Sequence, residues 1–399
     1  SVFLRTHILF QPTILEVFFW TLACVLLQRY LLKQQQRDLY LLSATLALAW
    51  WSKYSVLFFI AALFLALLAT KERRLLKERA FWLAVGLGFV LVLPNVLWQY
   101  MHHWPLAQHM EELRATQLKY ISKAGFLSEQ LKMFVPAVPL LFGGLYGLLR
   151  NERFRALGYL YIGVIVLLLL GSAKGYYSLG IYPMLLAAGA AWMERNLRPV
   201  VLRVTLPVVM ILAATPMPFL LLPVQAPAEM ARFNQRWDLA GKGILKWEDQ
   251  QNHPLQQDFA DMLGWDELAQ KAYAYYDALP SPLRDSTLIY ARNYGYAGSL
   301  IYHVKDTSFT RHVISDNGTF LLWIPDRLRY RHLLFVGESA PERGDEVFDH
   351  FAEVIRVDSC TNPYSRQYGS PILFFKDADT TAFRLAERGL RAEKAKFGR

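Results

Sequence analysis

Apolar residues fall into long blocks over the first half of the chain. Runs that span or nearly span a bilayer lie at 13–32, 80–97, 130–149, 156–172, 178–193 and 200–222. Such runs predict membrane helices, because about 20 apolar residues cross the hydrocarbon core. A longer block at 39–70 is interrupted by Trp50-Trp51-Ser52-Lys53-Tyr54. It reads as two short helices meeting at that break. The pattern predicts a polytopic α-helical membrane domain over 1–223 with about eight transmembrane helices.

Beyond residue 223 the period shortens. Strand candidates lie at 287–291, 311–314, 332–336, 354–357 and 372–375. A helix over 266–278 starts at Asp266 as N-cap and stops before Pro280. Further helices fall near 295–303 and 345–352. Alternation of this kind predicts a soluble α/β domain over 224–380, in two or three layers. The stretch 381–399 is basic and reads as a frayed tail.

Charge divides the same way. Residues 1–223 hold 21 Lys/Arg and 9 Asp/Glu, a net of +12, and the rest hold 22 and 24, a net of −2. The basic balance therefore belongs to the apolar half, where it sets topology and meets anionic lipid. No basic segment carries a nucleic-acid-binding motif, so nucleic acid is not an expected partner. The loops at 33–38, 71–79, 150–155 and 194–203 together hold 13 Lys/Arg, against 6 on the other side. The richer side is expected to be cytoplasmic, which puts residues 224–399 on the outer, extracytoplasmic side. Cys24 and Cys360 lie in different halves and are not expected to pair.

Three stretches on the lysine-poor side break the apolar pattern: WWSKYS, LPNVLWQYMHHWP and SAKGYYS. An aromatic belt with snorkelling lysines accounts for each singly. Together they place Lys53, Tyr54, Lys174, Tyr176 and Tyr177 at one membrane level. A cationic and aromatic pocket there suits an anionic lipid headgroup such as a polyprenyl phosphate. His102, His103 and Trp104 are candidates for lining the substrate cavity. His102, His103 and His109 do not have metal-ligand spacing, and ARNYGYAGSL lacks a full dinucleotide fingerprint. No metal or cofactor is expected. No acid stands between Glu152 and Glu194, so a partner for Lys174 must come from elsewhere in the fold or from a ligand. The outer-face acids Glu111, Glu112 and Glu129 read as solvated helix charges.

WWSKYSVLFF, LPNVLWQYMHHWP and SAKGYYSLGIYPMLLAAGAAW resemble segments of bacterial GT-C membrane glycosyltransferases of family 39. That group includes dolichyl-phosphate-mannose-protein mannosyltransferases and lipid A aminoarabinose transferases. DMLGWDELAQKAYAYYDALP, ARNYGYAGSLIYH, HVISDNGTFLLWIP and LLFVGES resemble the soluble part of bacterial members. The resemblance implies sugar transfer from a polyprenyl-phosphate donor to a lipid, glycan or protein acceptor on the outer membrane face. It also implies an acidic residue in the first outer loop. That loop is expected upstream of Ser1, so the chain resembles an N-terminally truncated member, expected to be inactive alone and to contain no catalytic residue. A transporter or flippase of a lipid-linked substrate, or a non-catalytic assembly subunit, are the competing readings. The first would favour repeated halves and midplane charges, and no repeat is visible.

Overall fold

The structure, a computed structural model, describes residues 2–116, 122–328, 330–342, 344 and 346–398. It divides into two compact units, Ser1–Val224 and Gln225–Arg399.

The first unit is helical. Its helices are α1 (Val2–His7), α2 (Pro12–Lys33), α3 (Gln36–Ser52), α4 (Val56–Leu68), α5 (Arg79–Met101) and α6 (Pro105–Thr116). They continue as α7 (Lys123–Lys132), α8 (Val138–Arg150), α9 (Arg155–Leu170), α10 (Tyr182–Asn196), α11 (Val200–Ala214) and α12 (Met217–Leu221). A 3₁₀ segment, Gly175–Ile181, joins α9 to α10. The break expected near Lys53 separates α3 from α4. Lys53 leaves the helix in extended backbone while its N–H still closes on the Ala49 carbonyl.

Among the described residues, three helices are long and apolar enough to cross a membrane: Pro12–Lys33, Arg79–Met101 and Val200–Leu221. Lys123–Lys132 and Val135–Arg150 make a fourth if that pair, bent by 72°, counts as one span. The eight spans expected from the apolar runs are therefore not shown. The physical reason is length: α4 has 13 residues, α9 has 16 and α10 has 15, short of the ~20 that a straight span needs.

The core of this unit is built on Trp20, Phe59, Leu160, Val164 and Tyr182. Helix α2 packs on α3, α3 on α5, α4 on α9 and α8 on α10. The α8–α10 crossing depends on glycine. A Cβ on Gly189 would lie 2.0 Å from the Leu140 carbonyl oxygen, and one on Gly144 would lie 2.2 Å from that of Leu185. Small residues that let backbones approach drive association where the solvent is itself apolar. By contrast, the apolar windows of Arg79–Met101 and Val200–Leu221 are only 11% and 0% buried. Their side chains face outward and need a hydrocarbon solvent.

The second unit holds a five-stranded sheet of β1 (Thr287–Ala291), β2 (Val313–Ile314), β3 (His332–Val336), β4 (Phe351–Ser359) and β5 (Pro371–Ala378), in the order β2-β1-β3-β5-β4. β1 runs parallel to β2 and β3, and β5 antiparallel to β3 and β4. Helices in this unit are α13 (Pro227–Arg236), α14 (Gln257–Ala260), α15 (Trp265–Ala278), α16 (Ser281–Arg284), α17 (Tyr294–His303), α18 (Thr307–Thr310) and α19 (Thr380–Lys396). Alternate strand residues feed two cores, as a period of two requires. Ile289, Leu334 and Phe374 pack with α15 and α17, while Leu288, Leu333, Phe335 and Phe375 form the other face. Central β3 is buried along its whole length.

Three expectations need correction. Helix α15 begins at Trp265, with Gly264 rather than Asp266 as its N-cap. Asp266 sits in the first turn instead, where a carboxylate favours the helix N-terminus. No helix forms around 345–352, because the chain makes one short turn at Phe348–His350 and enters β4 at Phe351; residues 343 and 345 lie outside the described ones. The basic 381–399 stretch is not frayed: α19 is capped by Asp379, buries Ala382, and anchors Lys394 on Asp326 at 2.7 Å and on the Ile324 carbonyl.

Gly189→Ala is expected to cost about 1–3 kcal/mol, as forced overpacking does, because the new methyl meets backbone rather than a flexible side chain. Gly86→Ala, where a Cβ meets nothing within 4 Å, is the control and should not destabilise. Thermal unfolding in detergent measures both.

Candidate functional site

Helix α2 starts with Pro12, whose missing N–H costs nothing at the first helical position. One turn later comes Glu16, an acid inside an apolar helix and only 1% exposed. A lone buried carboxylate is costly, and its partner comes from the α3–α4 break. Lys53 Nζ lies 2.8 Å from Glu16 Oε2 and 3.3 Å from Thr13 Oγ1. Ser55 Oγ donates to Glu16 Oε1. The break in α3–α4 is what lets Lys53 and Ser55 reach the same carboxylate.

Lys53 also faces the 3₁₀ segment. Its ammonium lies 5.0 Å from the ring centroid of Tyr176 and 4.3 Å from that of Tyr177. The two rings meet edge to face, 4.9 Å apart. A cation over two aromatic faces is favourable and directional. So two stretches more than 100 residues apart in sequence, each singled out by its pattern, meet in one cluster.

The 3₁₀ segment has its own supports. Gln130 on α7 is buried, and its Oε1 accepts from Ser178 Oγ at 2.6 Å and from Tyr182 OH at 2.8 Å. Glu129, beside it, accepts the backbone N–H of Gly175. A Cβ on Gly175 would fall 2.0 Å from Glu129 Oε2. Gly175 therefore lets the backbone pass close to a carboxylate of α7. Glu129 itself stays exposed on its helix, as expected, while making this contact. The acid missing from 153–193 arrives from another helix, next in the chain to half-buried Lys174. Glu111 is exposed, and the side chain of Glu112 lies outside the described ones.

Tyr54 points to a different neighbour. Its hydroxyl donates to Asn95 Oδ1 at 3.1 Å and accepts from Gln99 Nε2 at 3.0 Å, and Trp50 Nε1 donates to the same Asn95 oxygen at 2.9 Å. Gln99 Oε1 then accepts the Leu106 N–H. This network ties the helix break to the end of α5 and the start of α6. His102 stacks on Trp98 at 4.4 Å and bonds its carbonyl through Nδ1 at 2.8 Å. His103 and Trp104 take φ of 56° and 57° in the turn that follows. These three residues shape the α5–α6 corner, and Gln99 links that corner to Tyr54.

The sequence pattern thus singled out Lys53, Asn95, Tyr176 and Tyr177, which the structure ties to these networks, but missed Glu16, Gln99 and Gln130. For Glu16 a signal existed. An ionisable residue inside a spanning helix marks a structural or functional site by default, with a partner to be named. Gln99 and Gln130 gave none, because an isolated Gln in a helix is not informative without its neighbours.

Residues 1–98 match the family model of dolichyl-phosphate-mannose-protein mannosyltransferases. No curated protein and no solved structure matches the chain. The matched stretch contains Glu16, Lys53, Tyr54 and Asn95, while Lys174, Tyr176 and Tyr177 lie beyond it. The match supports a GT-C-type membrane glycosyltransferase, and the apolar helices support a membrane protein.

Glu16→Ala is expected to cost about 3–5 kcal/mol, the penalty for leaving one member of a buried pair uncompensated. Glu16→Leu combined with Lys53→Met should recover most of that loss. Unfolding of the three proteins in detergent tests this. Additive losses in the double variant would mean that the two charges do not support each other.

Proposed function

We propose that the protein is a glycosyltransferase that takes a sugar from a polyprenyl-phosphate donor and passes it to a lipid, glycan or protein acceptor. The donor phosphate lies at the end of the bundle that carries Lys53 and Lys174. This end faces outward from the cytoplasm in a bacterial inner membrane, and the α/β unit is extracytoplasmic. The observation that carries the reading is the meeting of Lys53 with Tyr176 and Tyr177, inside a fold whose first part matches a mannosyltransferase family.

The chemistry requires a cation to stabilise the departing phosphate and a carboxylate to activate the acceptor. Lys53 is already neutralised by Glu16, so its part is to orient the tyrosine pair rather than to supply net charge. Lys174, at the head of the 3₁₀ segment and half-buried, is the phosphate anchor. Tyr177 and Tyr176 supply hydroxyls and a stacking wall for the headgroup. The donor, rather than a resident cofactor, provides the reactive group.

Lys174→Ala is expected to weaken binding of a polyprenyl-phosphate sugar ~10- to 100-fold, the equivalent of about 1.5–3 kcal/mol for a charge-assisted bond. Unchanged affinity in a folded variant would reduce Lys174 to an interfacial anchor. Orientation has its own check. A phosphatase reporter fused after Pro223 should be active only if it is exported, and an active cytoplasmic reporter at that position would reverse the topology.

A further inference from the structure

Helix α2, which carries Glu16, also lines a cavity toward its other end. It measures about 350 Å³ and lies between α2, α8 and α10. From Glu16 to Gln28 the distance along α2 is about 18 Å at 1.5 Å per residue, so the two places approach opposite faces of a bilayer. This inference does not rest on the glycosyltransferase reading.

The cavity is graded. Its inner wall is apolar and narrow in side chains, with Cys24, Val25, Met184 and Ala188. Its mouth carries Gln28, Asn151 and Arg195. Among the described residues, the guanidinium of Arg195 and the carboxamide of Gln28 have no hydrogen-bond or ion-pair partner. Asn151 uses only its oxygen, which accepts the Arg153 N–H at 3.0 Å. The mouth therefore offers N–H donors, led by a fixed positive charge. Deeper along α2 than Cys24 and Val25, about 10 Å from Gln28 at 1.5 Å per residue, lies the Thr21 hydroxyl, which is buried and has no partner among the described residues. A buried polar atom left unpaired is costly and calls for a ligand or water to satisfy it.

We infer that this cavity binds an anionic phospholipid. Its phosphate meets Arg195 and the two amides at the mouth, and one acyl chain runs inward along the apolar wall past Cys24 and Val25, towards Thr21. The same end of the unit carries Arg150, Arg153, Arg155 and Arg198. Basic pockets between helices on the lysine- and arginine-rich side suit anionic headgroups. The nearby charges raise the local concentration of such lipids, and the mouth selects among them.

Native mass spectrometry of the detergent-solubilised full chain tests this, with phosphatidylglycerol and phosphatidylcholine of identical acyl chains. Phosphatidylglycerol should be retained roughly tenfold more tightly, because the choline cation of phosphatidylcholine repels Arg195 and offsets the charge of its phosphate there, a difference worth about one charge-assisted contact. Arg195→Gln should abolish that preference. Ala188→Phe, which fills the wall and leaves the charge, should weaken binding of both lipids. Glycerol phosphate should fail to displace the bound lipid. Equal affinity for the two lipids, or a preference that survives Arg195→Gln, would overturn the assignment. Full displacement by glycerol phosphate would do so too, since it would define a free-anion site. Arg195 and Gln28 are both exposed, so Gln28→Leu serves as a second mouth variant that keeps the fold, and it too should lower the preference. A dimer lost in Arg195→Gln with no lipid bound would assign the cavity to a second copy instead.

Discussion

A buried carboxylate must have a partner, and in this protein that requirement organises one end of the helical unit. Glu16 lies inside α2 with almost no exposure, and Lys53 and Ser55 reach it from a break between two other helices. Desolvating one charge costs several kcal/mol, and only a close counter-charge with further hydrogen bonds offsets it. The pair therefore fixes α2 against the α3–α4 break. It also points the Lys53 ammonium at Tyr176 and Tyr177, which positions the 3₁₀ segment and with it Lys174.

The same rule governs the uncharged polar groups. Asn95 and Gln99 take up Trp50, Tyr54 and the Leu106 N–H, and Gln130 takes up Ser178 and Tyr182. Each amide joins segments distant in sequence, and each lies near the end of the bundle where helices break or turn. In an apolar surrounding such bonds cannot be exchanged for water, so the ends of the helices are held in one arrangement. A rigid frame of this kind is what an anionic headgroup needs, since pre-positioned donors lose little on binding.

Much of this was legible along the chain. Apolar blocks marked the helical unit, and the WWSKY break separated α3 from α4 as expected, because a lysine and a serine cannot continue an apolar face. In the α/β unit the strand candidates at 287–291 and 332–336 coincide with β1 and β3, since runs of β-branched and aromatic residues between turns have few alternatives. Elements with weak local signals went astray. The segment 345–352 looked helical by composition, and tertiary pairing with β5 drew its end into β4. The last 19 residues looked like a tail. Thr380–Lys396 forms a helix because Lys394 and Ala382 find places against the second unit's core, which no local pattern announces.

The sequence by itself determined where apolar surface is concentrated, which end of each helix carries charge, and which aromatic and cationic residues interrupt the pattern. These are local properties, set by composition and period. Only the tertiary structure decided which polar group answers which. Lys53 is neutralised by Glu16, Gly175 passes beside Glu129, and Tyr54 turns to Asn95. Such pairings depend on distances between helices dozens of residues apart. They are chosen by the cost of leaving a buried polar atom alone, a cost that exists only once the helices have packed.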